Sequence, residues 1–242
     1  MPRELALLTE LMTLDVGDNS LVGTLPEMIC EELVQLETVN ITNNVFSGAL
    51  PSTVGLLGAL QELDVSHNDF TSSLPSTLGL LGNLEQLDAT FNQLTGVLTS
   101  ALGDLSNLES LLLHQNQLAG QLPSELGLLS NLQQLEVDGN KLNGTIPTQL
   151  GGLMALEELH LFDNDLNGPI PSELGALENL EVLGHGWNAL TSQLPSHLAD
   201  LSSLKELWIY DNQLCGPIPP EMAALLVGHI HCIARHPNAL PR

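Results

Sequence analysis

The chain has 242 residues, of which 43% are hydrophobic and only 3% aromatic, so any core has to be built mainly from leucine. Its 29 acidic residues against 5 basic ones give a formal charge of -24, which repels phosphate backbones and excludes nucleic acid as an expected partner. That charge serves either as a solvated, solubilising surface or as an attractor for basic peptides, cationic surfaces and divalent ions.

The first eight residues, Met1 to Leu8, align with Leu122 to Leu129, so the chain opens inside a repeating unit. A repeat array exposes its apolar end unless a polar cap covers it, and the expectation is a piece of a longer array or a product without its cap. No apolar run approaches the ~20 residues of a membrane helix, and the first residues lack the apolar stretch of a signal peptide.

From there the unit recurs around Asn19, Asn44, Asn68, Asn92, Asn116, Asn140, Asn164, Asn188 and Asn212, with one step of 25 residues followed by steps of 24. Eight residues before each asparagine stands a leucine, from Leu11 and Leu36 through to Leu204. Five and three places before it lie further aliphatics, as in Leu63 and Val65 or Leu111 and Leu113, and this alternation predicts a short strand with one buried face. The asparagines fall where the chain leaves each strand and backbone groups need partners, so they are expected to be structural.

Four residues after the asparagine comes Gly in seven units and Ser72 or Ser192 in two, which marks a turn. A Leu-Pro or Ile-Pro pair follows, such as Leu122-Pro123, with Leu98-Thr99 as the departure, and it predicts the opening of a helical turn. That turn carries apolar residues three apart around a small one, as in Leu126, Gly127 and Leu129; Cys30 fills the small slot and is expected to be a buried thiol.

The pattern LxxLxxLxLxxNxLxGxIPxxLGxL resembles the plant-type leucine-rich repeat of receptor-like kinase and receptor-like protein ectodomains and of polygalacturonase-inhibiting proteins. The resemblance implies an α/β fold: a right-handed solenoid with a parallel β-sheet on the concave face and short helical turns on the convex face. Nine repeats are expected over residues 1-225, followed by an irregular tail at 226-242. A unit of this size cannot bury its own leucines, so stability requires neighbouring coils. The resemblance also implies a binding module rather than an enzyme, extracellular or at the cell surface, and a fragment of a longer membrane-attached protein. An enzyme inhibitor like the polygalacturonase-inhibiting proteins is the alternative.

Strand residues facing away from the core are the candidates for contact. One row reads Asp15, Asn40, Asp64, Asp88, Leu112, Glu136, His160, Gly184 and Trp208; the next includes His114, Asp138, Phe162, Gly186 and Tyr210. The first half is thus small, polar and acidic. The second sets Phe162, Trp187, Trp208 and Tyr210 beside Glu136, Glu158, His160, Asp163, Glu206 and Asp211, a combination suited to a protein or peptide bearing Arg or Lys. The same aromatics are equally consistent with rings that merely pack on cross-strand neighbours.

His185, between Gly184 and Gly186, takes a slot meant for a core aliphatic and is expected in a thinned core. His114, Glu136, Asp138, His160 and Asp163 can converge over repeats five to seven and are metal-capable, but strand spacing leaves them on a shallow open sheet, so no metal or cofactor is expected. No nucleophile-base arrangement or phosphate-cradling loop emerges, and an open sheet excludes little water. Asn143 and Asn40 begin glycosylation sequons that matter only for a secreted chain; Asn143 is expected in a loop, whereas a glycan on Asn40 would obstruct the concave face. A Cys215-Cys232 bridge is a weak expectation from the resemblance. Ice binding, which needs regular rows, is not expected because the exposed rows change from unit to unit.

Overall fold

The computed structural model describes residues 3-222. The expectations for the tail and for Cys232 lie outside these residues.

Nine three-residue strands form one parallel sheet in sequence order: β1 (Thr13–Asp15), β2 (Thr38–Asn40), β3 (Glu62–Asp64), β4 (Gln86–Asp88), β5 (Ser110–Leu112), β6 (Gln134–Glu136), β7 (Glu158–His160), β8 (Val182–Gly184) and β9 (Glu206–Trp208). The register follows the sequence repeat. Glu136 pairs with His160, His160 with Gly184 and Gly184 with Trp208, so each concave row is a row of the repeat alignment.

The leucine column lies in the core. Leu36, Leu60, Leu84, Leu108, Leu132, Leu156 and Leu180 are fully buried, Leu204 nearly so, and Leu11 in the first coil is partly buried. Each coil closes the apolar edge of the one before, which is how a unit too small for its own core is stabilised.

The asparagines form the structural ladder expected of them. The Oδ1 of Asn68 accepts the Phe46 N–H of the preceding coil at 2.9 Å, while its Nδ2 donates to the carbonyls of Ile41, Val65 and Ser66. The side chain of Asn19, in the first coil, donates only within its own coil among the described residues, to the carbonyls of Val16 and Gly17.

On the convex side the coils carry short 3-10 turns, such as Ser124–Leu128 and Thr148–Gly152, these two led by a proline in extended conformation and Ser100–Asp104 by Thr99. The longer second unit instead has a true α-helix, α1 (Glu27–Glu32), with Cys30 buried as expected. The small residue of each turn is a packing requirement, because a Cβ on Gly127 would stand 2.3 Å from the carbonyl oxygen of Gln149 in the next coil.

Two smaller parallel sheets line the flank after the asparagines: Val22–Gly23, Val45–Gly48 and Asp69–Phe70 in one, and Ala119–Gly120, Lys141–Thr145, Asp165–Gly168 and Ala189–Leu190 in the other. The sequence does not predict them. They correct the placing of Asn143 in a loop: it is exposed but lies within the strand Lys141–Thr145, paired with Asp165, because backbone groups there bond from coil to coil. Toward the end of these stretches or just after them the chain turns with positive φ, at Gly168 (+73°) as at Ser72 (+67°) and Ser192 (+70°).

Candidate functional site

The candidate site occupies the concave face of coils five to nine. Each strand contributes three residues whose middle side chain is buried, so the outer two project from the sheet. Adjacent strands lie ~4.8 Å apart, which brings equivalent side chains of neighbouring coils within contact distance.

Coil eight supplies the shape. Gly184 and Gly186 leave two of its concave positions without side chains, and rings from the flanking coils lean over the gap. The centroids of Phe162 and Trp208 are 6.0 Å apart, with His160 5.6 Å from Trp208 and 5.9 Å from Phe162. A Cβ on Gly184 would meet Phe162 at 3.4 Å and Trp208 at 3.5 Å, so these two rings nearly cover the glycine. Beside them Trp187 and Tyr210 meet edge to face at 5.1 Å.

The carboxylates surround these rings unevenly. Glu158 Oε2 is 3.5 Å from His160 Nε2, and Glu136 Oε2 is 3.1 Å from His114 Nδ1. Asp163 and Asp211 sit next to Tyr210, whose phenol is raised above its ordinary pKa by burial first and then by these two charges. Glu206 stands half-buried one row from Trp208, and its side chain makes no hydrogen bond or ion pair among the described residues. Lys141 and Lys205 bond at other positions, Lys141 to Gln117 at 3.3 Å and Lys205 to Glu181 at 2.6 Å.

Burial shifts several of these groups. Asp138, only 5% exposed, is pushed up to about 6 by desolvation, which the nearby His114 and His160 partly offset. Asp88 is raised, again chiefly by burial. His114 is raised, chiefly by the Glu136 carboxylate beside it, and Glu136 is lowered by the same contact. His185 is fully buried as expected, with neither ring nitrogen hydrogen-bonded, and desolvation lowers it to about 3.

Two features escape the sequence reading. First, the residue just before each asparagine is not an ordinary strand position: it takes positive φ, at Phe91 (+50°), Asp163 (+51°), Trp187 (+48°) and Asp211 (+50°). The strands end three residues earlier, so this residue turns the corner and its side chain swings outward. Second, the front half is not only small and acidic. Phe91 stacks on His67 at 4.4 Å and meets His114 edge-on at 5.2 Å. Reading the pre-asparagine column downward would have shown His67 next to Phe91.

Four of the five metal-capable residues, all but Asp163, fall into two converging groups among the described residues, which Glu158 completes. His114, Glu136 and Asp138 converge, as do Glu136, Glu158 and His160, with donor atoms within 4.8 Å of one another in each group. Side chains on diagonal positions lean toward each other, which strand spacing alone does not reveal. Of the two sequon asparagines, Asn40 is half-buried and its Oδ1 accepts the Thr42 N–H at 3.0 Å.

Stacked coils, an asparagine ladder and a variable concave row define a repeat protein that presents a surface rather than a closed pocket. The chain belongs to the plant-type leucine-rich repeat family: the family model described as a leucine-rich repeat region matches residues 92-240, and that of the single leucine rich repeat matches residues 59-81. No curated protein matches it.

Among solved structures, the leucine-rich-repeat ectodomain of the membrane receptor kinase GASSHO1/SCHENGEN3 from Arabidopsis thaliana, in complex with CASPARIAN STRIP INTEGRITY FACTOR 2, is similar at 34% identity and a TM-score of 0.87, over 88% of this chain and 26% of that one. The Arabidopsis receptor kinase HAESA, in complex with the peptide hormone IDA and the co-receptor SERK1, is similar at 31% identity and a TM-score of 0.83, over 88% of this chain and 36% of that one. A plant ice-binding protein is similar at 28% identity and a TM-score of 0.79, over 90% of this chain and 70% of that one. The chain therefore spans only 26% and 36% of the two receptor ectodomains.

Proposed function

We propose that the concave face of coils six to nine recognises a protein or peptide ligand carrying Arg or Lys side chains. The observation that carries this reading is the ring cluster of His160, Phe162 and Trp208 over Gly184, bordered by Glu158 and Glu206. Aromatic faces attract cations within ~6 Å, and adjacent carboxylates accept the hydrogen bonds of a guanidinium or ammonium group. Rigid rings lose little entropy on binding, which suits them to be anchors.

The likeness to two plant receptor kinase ectodomains solved with a named factor and a peptide hormone supports recognition rather than catalysis. In this reading the chain acts outside the cell or at its surface, as part of a larger receptor-like or secreted protein. Asn143, exposed on the flank, is then the sequon position that a glycan can occupy without crossing the concave face.

The ice-binding relative does not change the choice. Ice recognition needs a regular row, whereas the first flank position of successive coils reads Val45, Asp69, Gln93, Gln117, Lys141, Asp165 and Ala189.

The test is a binding screen of Arg- and Lys-containing peptides against the chain and its Trp208→Ala and Tyr210→Ala variants. Saturable binding that both substitutions weaken supports the reading; equal binding by the variants refutes it.

A further inference from the structure

Coils five to seven gather groups whose chemistry differs from that of the ring cluster. His114, Glu136 and Asp138 point one imidazole and two carboxylates at a common space, with donor atoms within 4.8 Å of one another. His114 Nδ1, 3.1 Å from Glu136 Oε2, is shut off from solvent and makes no aligned hydrogen bond. His160 Nε2, 3.5 Å from Glu158 Oε2 in the adjoining group, is in the same condition. A buried nitrogen that faces a carboxylate without an aligned hydrogen bond leaves part of its bonding capacity unused, so both groups keep donor atoms that a further ligand could take.

Asp138 adds an independent sign. The residue is 5% exposed and shares the space with Glu136, and two carboxylates brought close together, one of them on a buried residue, favour a positive charge between them. Lys141 and Lys205 are engaged with Gln117 and Glu181.

We propose that His114, Glu136 and Asp138 bind one divalent transition-metal ion of the zinc class. Mixed imidazole and carboxylate donors select zinc, copper or nickel, whereas calcium and magnesium prefer oxygen donors throughout. Donors within 4.8 Å need only small side-chain movements to reach the ~2.0 to 2.2 Å of zinc coordination. Phe91, edge-on to His114 at 5.2 Å, restricts the imidazole as a supporting contact does in metal sites. The adjoining group shares Glu136 but lacks a carboxylate as deeply buried as Asp138, which places the ion on the first group. This inference does not depend on peptide recognition.

The test is calorimetric titration of the full chain with zinc chloride in excess calcium chloride, without peptide. The parent carries H229Q, H231Q, C232S and H236Q, so that donors in the tail do not contribute. One zinc per chain is expected, lost in E136Q, weakened at least ~10-fold in H114Q and unchanged in D64N. Circular dichroism of each variant verifies that its coils remain stacked. Displacement of zinc by calcium, or parent-like binding by H114Q and E136Q, overturns the proposal. Loss in H160Q with retention in H114Q overturns it equally.

Discussion

Phe162 and Trp208 stand two coils apart, yet their ring centroids lie 6.0 Å from each other because Gly184 between them offers no side chain. The glycine is what converts separate aromatics into one surface. Gly184→Ala should leave the rings in place, since a Cβ would meet them at 3.4 and 3.5 Å, an ordinary contact distance. Gly184→Leu should push them apart and change the near-ultraviolet circular dichroism of Trp208. An unchanged spectrum in the leucine variant would show that the rings do not meet over the glycine.

His185 occupies a slot that Leu161 and Ile209 fill in the neighbouring coils, with both nitrogens buried and unpaired. Replacing it by leucine should stabilise the protein by about 1 to 3 kcal/mol at neutral pH, measured by urea unfolding. The native state holds the ring neutral, with a pKa near 3 against an ordinary 6.5. Its depressed pKa means that the neutral ring's favourable contribution is complete above pH 6.5 and is lost as the pH falls toward 3. The gap between His185→Leu and wild type should therefore widen below pH 6.5, by at most about 1.4 kcal/mol per pH unit. A gap independent of pH would mean that the ring takes up protons in the folded state.

Gly127 gives a direct test of coil stacking. An added methyl group would stand 2.3 Å from the Gln149 carbonyl oxygen, so Gly127→Ala should cost about 1 to 3 kcal/mol and lower Tm by several degrees. Gly58, where a Cβ meets nothing within 4 Å, is the control, and Gly58→Ala should not destabilise. Equal melting of the two variants would contradict the stacking geometry.

Cys30 is buried in α1, and its thiol is pushed from 9.0 up to about 11 by burial, so it should resist alkylation. At pH 8, lowered thiolate content alone slows it about 100-fold relative to an ordinary thiol. Exposed Cys215 should react readily if it is present as a thiol. Tryptic fragments separate the two, because Cys30 lies before Lys141 and Cys215 after Lys205. Rapid labelling of Cys30 would show that the second coil opens in the native state.

The leucine column, the concave strands and the asparagine ladder were all legible in the sequence, because each rests on one residue type recurring at a fixed spacing. Leu36 and Asn68 need no partner more distant than the next coil. The flank sheets were not legible: backbone hydrogen bonds between coils hold them, and residues as different as Lys141, Asn143 and Thr145 share one strand. The positive φ of Phe91 and Trp187 was hidden for a related reason. Neither side chain favours that conformation, and the coil's path imposes it. At the candidate site the sequence placed Trp208, Tyr210 and Phe162 on one face, but the meeting of His114 with Glu136 depends on side chains leaning diagonally across strands.

The most direct measurement uses the positions of Trp187 and Trp208, both in the last two coils. During titration with an Arg- or Lys-rich peptide that binds by calorimetry, intrinsic tryptophan fluorescence should change in a saturable way with the same affinity, and Trp208→Ala should weaken binding at least ~10-fold. Calorimetric binding with silent fluorescence, and with full affinity retained in Trp208→Ala, would place recognition elsewhere on the solenoid and contradict the account.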